Sequence, residues 1–180
     1  MEESAGENVP PPSTEPRATE PRATEPRTIE PLTIDGHWAF DYRYFAGAAA
    51  SRFFAELAAR RIMGSRCPQC ARVLVPARGF CDACFVETTD WVQVSSHGTL
   101  ETFTILTTSF PGLPEPPLVV GYVALDGAST AVLNFVEGID LTDPDAAGAA
   151  LLRRPRVTAR FKDSCEGRIT DFVFTLDDRS

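Results

Sequence analysis

The chain has 180 residues, 43% of them hydrophobic, with 25 acidic against 17 basic side chains and a formal charge of -8. At roughly 100–200 residues per domain, that length suits one compact domain with a small appendage. No apolar run approaches the roughly 18 residues of a membrane helix and no basic-then-apolar leader opens the chain, so a soluble, cytoplasmic protein is expected.

Residues 1–31 differ in kind from the rest. Three near-copies of one pentapeptide, Thr14 to Ala18, Thr19 to Ala23 and Thr24 to Thr28, follow the run Pro10-Pro11-Pro12. The segment carries seven acids, three arginines and almost nothing apolar, too little to offset its ordering entropy. A five-residue period fits neither helix nor strand. The segment is predicted to be a disordered Pro/Glu/Arg-repeat tail, and a Pro-rich docking segment is the functional reading of the same residues.

Residues 32–64 form an N-terminal helical segment. From Tyr44 to Met63 the pattern is helical: Phe45, Ala49, Phe53, Leu57 and Arg61 share one face, with Phe54 and Ala58 beside them. Glu56 and Arg60 stand at i,i+4, and Gly64 is placed to end the helix.

Residues 65–90 hold the strongest signal. Cys67-Pro68-Gln69-Cys70 and Cys81-Asp82-Ala83-Cys84 are two Cys-x-x-Cys pairs with ten residues between them. Each pair sits on a tight turn, and together they offer four thiolates in the tetrahedral arrangement that zinc favours. Val73-Leu74-Val75 is expected as one strand of a ribbon and Arg78-Gly79-Phe80 as its return. Iron accepts the same four sulfurs, and that alternative stays open. A thioredoxin-like redox pair would place one such motif before a helix rather than two facing each other. A closed four-cysteine site leaves no position for water, so the expected metal builds structure and performs no hydrolysis.

Residues 91–180 change to a period of two. Thr99, Glu101, Phe103 and Ile105 alternate with Leu100, Thr102 and Thr104. Further β-rich runs follow at Leu118 to Leu125, Thr130 to Val136, Arg156 to Lys162 and Ile169 to Leu176, with a hairpin signal at Asp126-Gly127. Asp143 to Arg153 reads as a short helix or turn. Five short strands with one interruption point to an OB-type barrel. The fold class is therefore mainly β with an N-terminal helix, a four-cysteine zinc ribbon and a five-stranded OB barrel.

The sequence offers no constellation expected to be catalytic or cofactor-binding. His37 and His97 lack a second histidine or carboxylate at ligand spacing, and Ser95-Ser96-His97 alternates faces on a strand. Cys165 has acidic neighbours that disfavour its thiolate. Lys162 is the single lysine.

The order of these parts resembles the family of rubredoxin-like zinc-ribbon/OB-fold proteins that accompany thiolase-like, hydroxymethylglutaryl-CoA synthase-like and steroid aldolase enzymes. The likeness rests on Arg66 to Cys70, Val75-Pro76-Ala77-Arg78, Cys81 to Cys84 and Asp90-Trp91-Val92. It continues through Gly98 to Thr104, Val119 to Asp126 and Leu133-Asn134-Phe135. Ala71 and Phe85 stand where the family usually has glycine after the second and fourth cysteines, and Ala77 replaces the second proline of Pro-Pro-Arg. The resemblance implies a non-catalytic subunit whose thiolase-like or aldolase partner supplies the catalytic residues. It also implies structural zinc on Cys67, Cys70, Cys81 and Cys84, and a CoA thioester site shared with the partner.

Two features of the residues bear on that implication. The loop Ser109 to Pro117 is stiffened by prolines and displays Phe110 and Leu113, which suits an interface or a channel lip and equally an inert surface loop packed on its own barrel. Arg66, Arg72 and Arg78 cluster around the ribbon, where they could meet CoA phosphates or serve only as exposed solubilising charges. The alternative is a zinc-ribbon/OB module that binds single-stranded nucleic acid, which requires a basic groove with stacking aromatics. Outside the tail the body has 18 acids against 14 bases, and this speaks against it.

Overall fold

The structure, a computed structural model, describes residues 41–177. The tail expected over 1–31 and His37 lie outside the described residues.

Helix α1 spans Gly47–Ala58, shorter at both ends than the periodicity predicts. Phe53 and Leu57, four residues apart, are its buried side chains. The helix ends at Arg60, whose φ of 57° is left-handed. The Arg60 N–H donates to the Leu57 carbonyl and the Arg61 N–H to the Glu56 carbonyl, each at 2.9 Å. This is a Schellman closure with arginine in the place where glycine is usual. The same turn replaces the expected Glu56–Arg60 pair. Glu56 meets Arg61 at 2.6 Å, and Arg60 donates to the Asp163 carbonyl at 2.5 Å.

Gly64 is not the helix stop but part of strand β1, Met63–Arg66. A Cβ on it would come within 2.6 Å of Val73 Cγ1, so glycine serves close packing there. β1 lies between β2, Val73–Leu74, and β3, Asp90–Gln93, antiparallel to both. The expected pairing of Val73 to Val75 with Arg78 to Phe80 does not form. The turn from Cys67 to Ala71 folds β2 back on β1, and Pro76 brings no N–H to a ladder. Arg78 is fixed by hydroxyls instead. Ser65 Oγ donates to its carbonyl at 2.7 Å and accepts from its N–H at 2.9 Å, and Thr88 Oγ1 donates to the same carbonyl.

Five strands then close a barrel: β4 (His97–Leu106), β5 (Leu118–Leu125), β6 (Ala131–Glu137), β7 (Arg156–Phe161) and β8 (Phe172–Leu176). Their order around it is β4-β5-β6-β8-β7, with β6 and β8 parallel and the other pairs antiparallel. This is the five-stranded OB arrangement. β4 serves two neighbours because a register shift between Leu100 and Thr102 bends it. Helix α2, Pro144–Leu151, joins β6 to β7. Asp143 caps it by accepting from the Asp145 and Ala146 N–H groups, and proline takes the first turn.

Ile169 to Asp171 form a 3-10 turn rather than the start of a strand. Burial pushes the Asp171 carboxyl up, but the N–H groups of Arg168, Gly167 and Glu166, at 2.8, 2.7 and 3.0 Å, hold it below the usual carboxylate range. One buried cluster joins Phe53 and Leu57 of α1, Val73, Val75 and Ala77 of the ribbon, and Leu100, Val123, Val157, Phe172 and Phe174 of the barrel. Among the described residues, no helix is long and apolar enough to cross a membrane.

Candidate metal centre

The two cysteine pairs fold as copies of one turn. In the first, the Cys67 N–H donates to the Arg72 carbonyl and the Ala71 N–H to the Cys67 carbonyl. In the second, the Cys81 N–H donates to the Val86 carbonyl and the Phe85 N–H to the Cys81 carbonyl. Ala71 and Phe85 close these turns with left-handed φ of 60° and 57°. The family glycines belong at these two places, and the turn geometry is kept without them.

The turns bring all four cysteines predicted from spacing to one point, with the sulfurs of Cys67, Cys70, Cys81 and Cys84 within 4.8 Å of one another. Cys70 and Cys81 Sγ are 3.8 Å apart, the edge of a tetrahedron whose centre lies about 2.3 Å from each sulfur. Cys67 and Cys81 are buried, Cys84 is half-buried and Cys70 is exposed. Leu74 and Val86 pack beside the sulfurs. Backbone N–H donors, that of Cys70 first, lower the Cys67 thiol to about 7. The Cys84 thiol is pushed up to about 12, first by its hydrogen bond with Cys70. Neighbouring sulfurs thus resist ionising together, and a divalent cation among them relieves that resistance. The donor set fits a thiophilic metal and closes around it.

The arginines near the ribbon each face a carboxylate. Arg72 and Arg78 meet Asp82 at 2.9 and 3.4 Å, and Arg66 meets Asp90 at 3.8 Å. Cys165 and His97 lie apart from the sulfurs. Cys165 Sγ is 3.4 Å from the Lys162 carbonyl. His97 Nδ1 is 2.8 Å from Thr158 Oγ1, which donates to Asp177 at 2.5 Å, and the imidazole stands 3.9 Å from that carboxylate. Sequence spacing does not reveal this contact, because β7 and β8 bring Thr158 and Asp177 to His97 from far along the chain.

Comparison with known proteins follows the same division of the chain. Residues 54–90 match the ChsH2 rubredoxin-like zinc ribbon domain, and residues 91–170 match the ChsH2 C-terminal OB-fold domain. No curated protein sequence matches the chain. Among solved structures, a DUF35-family protein of unknown function from Sulfolobus solfataricus is similar at 22% identity and a TM-score of 0.52, over 73% of this chain and 87% of that one. The Ltp2-ChsH2(DUF35) aldolase is similar at 21% identity and a TM-score of 0.55, over 74% of this chain and 98% of that one. With the ribbon and the barrel both matched in one continuous stretch, the chain belongs to the ChsH2-type family of rubredoxin-like zinc-ribbon/OB-fold proteins.

Proposed function

We propose that the chain is a non-catalytic subunit of an acyl-CoA-processing complex, holding a thiolase-like or aldolase partner in its competent form. The observation that carries this reading is the likeness to the Ltp2-ChsH2(DUF35) aldolase over 98% of that chain. Its name joins the same fold to an aldolase. Cys67, Cys70, Cys81 and Cys84 would hold zinc, which supplies a cross-link to a lobe with little apolar core of its own. A reducing cytoplasm keeps these four thiols available to a metal.

The finer part of the reading is a contribution to acyl-CoA binding. Arg72 and Arg78 share Asp82 and Arg66 pairs with Asp90 on the same lobe, and the CoA phosphates would replace these carboxylates as their partners.

Co-expression with the neighbouring genes, purification on a tag carried by this chain and metal analysis test the proposal together. A stoichiometric thiolase-like or aldolase subunit, about one zinc per chain and no acyl-CoA turnover by this chain alone are expected. Cys84→Ser is expected to lower the bound metal and the recovered partner. Turnover by the isolated chain would sink the proposal, as would salt-sensitive binding of single-stranded nucleic acid with no enzyme partner. Iron in place of zinc would correct the metal.

A further inference from the structure

The barrel strands differ in what they turn outward. β4 shows Glu101, Thr102 and Thr104, and β7 shows Arg156 and Arg160, all exposed. β5 and, apart from Asn134 and Glu137, β6 are apolar on both faces. Their inward residues, among them Val119, Val123, Val132 and Val136, are buried, while Val120, Tyr122, Leu133 and Phe135 face out. Strands of this kind are built to be covered twice, yet Tyr122 and Leu133 remain 46% and 45% exposed.

Val120, Leu133 and Phe135 of this patch floor a groove. A cavity of about 770 Å³ between the 112–119 stretch, the end of β6 and Lys162 continues into one of about 420 Å³ over Val120, Leu133 and Ile169. Leu113, Phe135 and Thr170 line both. One wall is the proline-stiffened loop, with Leu113 42% exposed, so little entropy is lost on docking there. The floor is fixed by buried Asn134, whose Nδ2 donates to the Ile169 and Phe172 carbonyls at 2.9 Å each.

The rim is acidic. Glu137 lines the groove, Glu115 stands in the loop wall beside Pro114, and Asp140 lies between the lining residues Ile139 and Leu141. All three are exposed, against Lys162 in the lining and exposed Arg168 beside the lining residue Ile169. A negative rim repels phosphates and favours cationic groups.

We infer that this groove seats an apolar segment of the catalytic partner flanked by basic side chains, and does not hold the CoA moiety. The inference rests on the subunit reading above and adds to it the face and the chemistry of the contact.

The test uses the full chain and the purified catalytic subunit recovered with it, with affinity measured at two ionic strengths. Metal content and thermal midpoint report that each variant is folded. Leu113→Glu and Leu133→Glu are each expected to weaken assembly about tenfold or more. Glu115→Lys combined with Glu137→Lys is expected to weaken it and flatten its salt dependence. Leu152→Glu, at a position 75% exposed beyond α2, is expected to leave it unchanged. Folded Leu113→Glu and Leu133→Glu variants with wild-type affinity would overturn the inference and leave the subunit reading standing. The same holds if these variants lose only acyl-CoA binding. Failure of the wild-type chain to assemble with any catalytic subunit overturns both.

Discussion

Ala71 and Phe85 sit at equivalent places in the two cysteine turns, each with its N–H on the carbonyl of the first cysteine of its pair. The turn needs a left-handed residue there, and a Cβ in that conformation costs about 1 kcal/mol relative to glycine. The side chains give back unequal amounts. The Phe85 ring packs edge-on against Phe80, centroids 5.8 Å apart, whereas a methyl group at 71 has little to lose. Ala71→Gly is therefore expected to stabilise the metal-loaded protein by about 1 kcal/mol, read from the denaturant midpoint. A lower midpoint would mean that the unfolded-state entropy of the new glycine outweighs the relief of the turn. Phe85→Gly should gain less, because it also gives up the ring contact.

At the scale of elements, the hairpin between β5 and β6 does more than reverse the chain. Its Ser129 N–H donates to the Val73 carbonyl at 2.7 Å, and Ser129 Oγ accepts from the Val73 N–H at 3.1 Å. Thr130 Oγ1 accepts from the Val75 N–H at 2.7 Å and donates to the Val75 carbonyl at 2.8 Å. Two adjacent hydroxyl residues thus complete the outer edge beside β2 as a fourth strand would. Thr130→Val keeps the shape and leaves both Val75 groups unpaired, a loss on the order of 2 kcal/mol. Faster hydrogen exchange at the Val75 amide is the accompanying signature, and unchanged exchange would show that water takes over the role. The barrel strands were legible because their inward residues alternate. β1 was not, because its buried centre is Gly64 and Ser65, which carry no hydrophobic period. The helix end was hidden for a related reason: Arg60 adopts a conformation that only glycine or asparagine would have advertised.

Across the whole molecule, the four sulfurs were readable from spacing alone, since a Cys-x-x-Cys turn sets its own geometry whatever surrounds it. The groove was only partly so. Leu113 is legible as an exposed loop residue, but the outward role of Leu133 and Phe135 depends on which face of β6 meets the core. That same core links the metal centre to overall stability. The cluster around the sulfurs holds Cys67, Leu74 and Cys81 as its buried members, too little to stand alone. Val73, Val75 and Ala77, on the same lobe, are buried among barrel residues. Loosening the ribbon by removing its proposed zinc should therefore expose the barrel core along that seam. A strong chelator is expected to lower the thermal midpoint by about 10 °C or more while unfolding remains a single transition. Far-ultraviolet circular dichroism follows the barrel, and Trp91 in β3, with Trp38 replaced by phenylalanine, follows the ribbon by fluorescence. Coincident curves before and after chelation are the expected result. A ribbon signal that melts first over an unchanged barrel would show that the shared cluster does not couple the two.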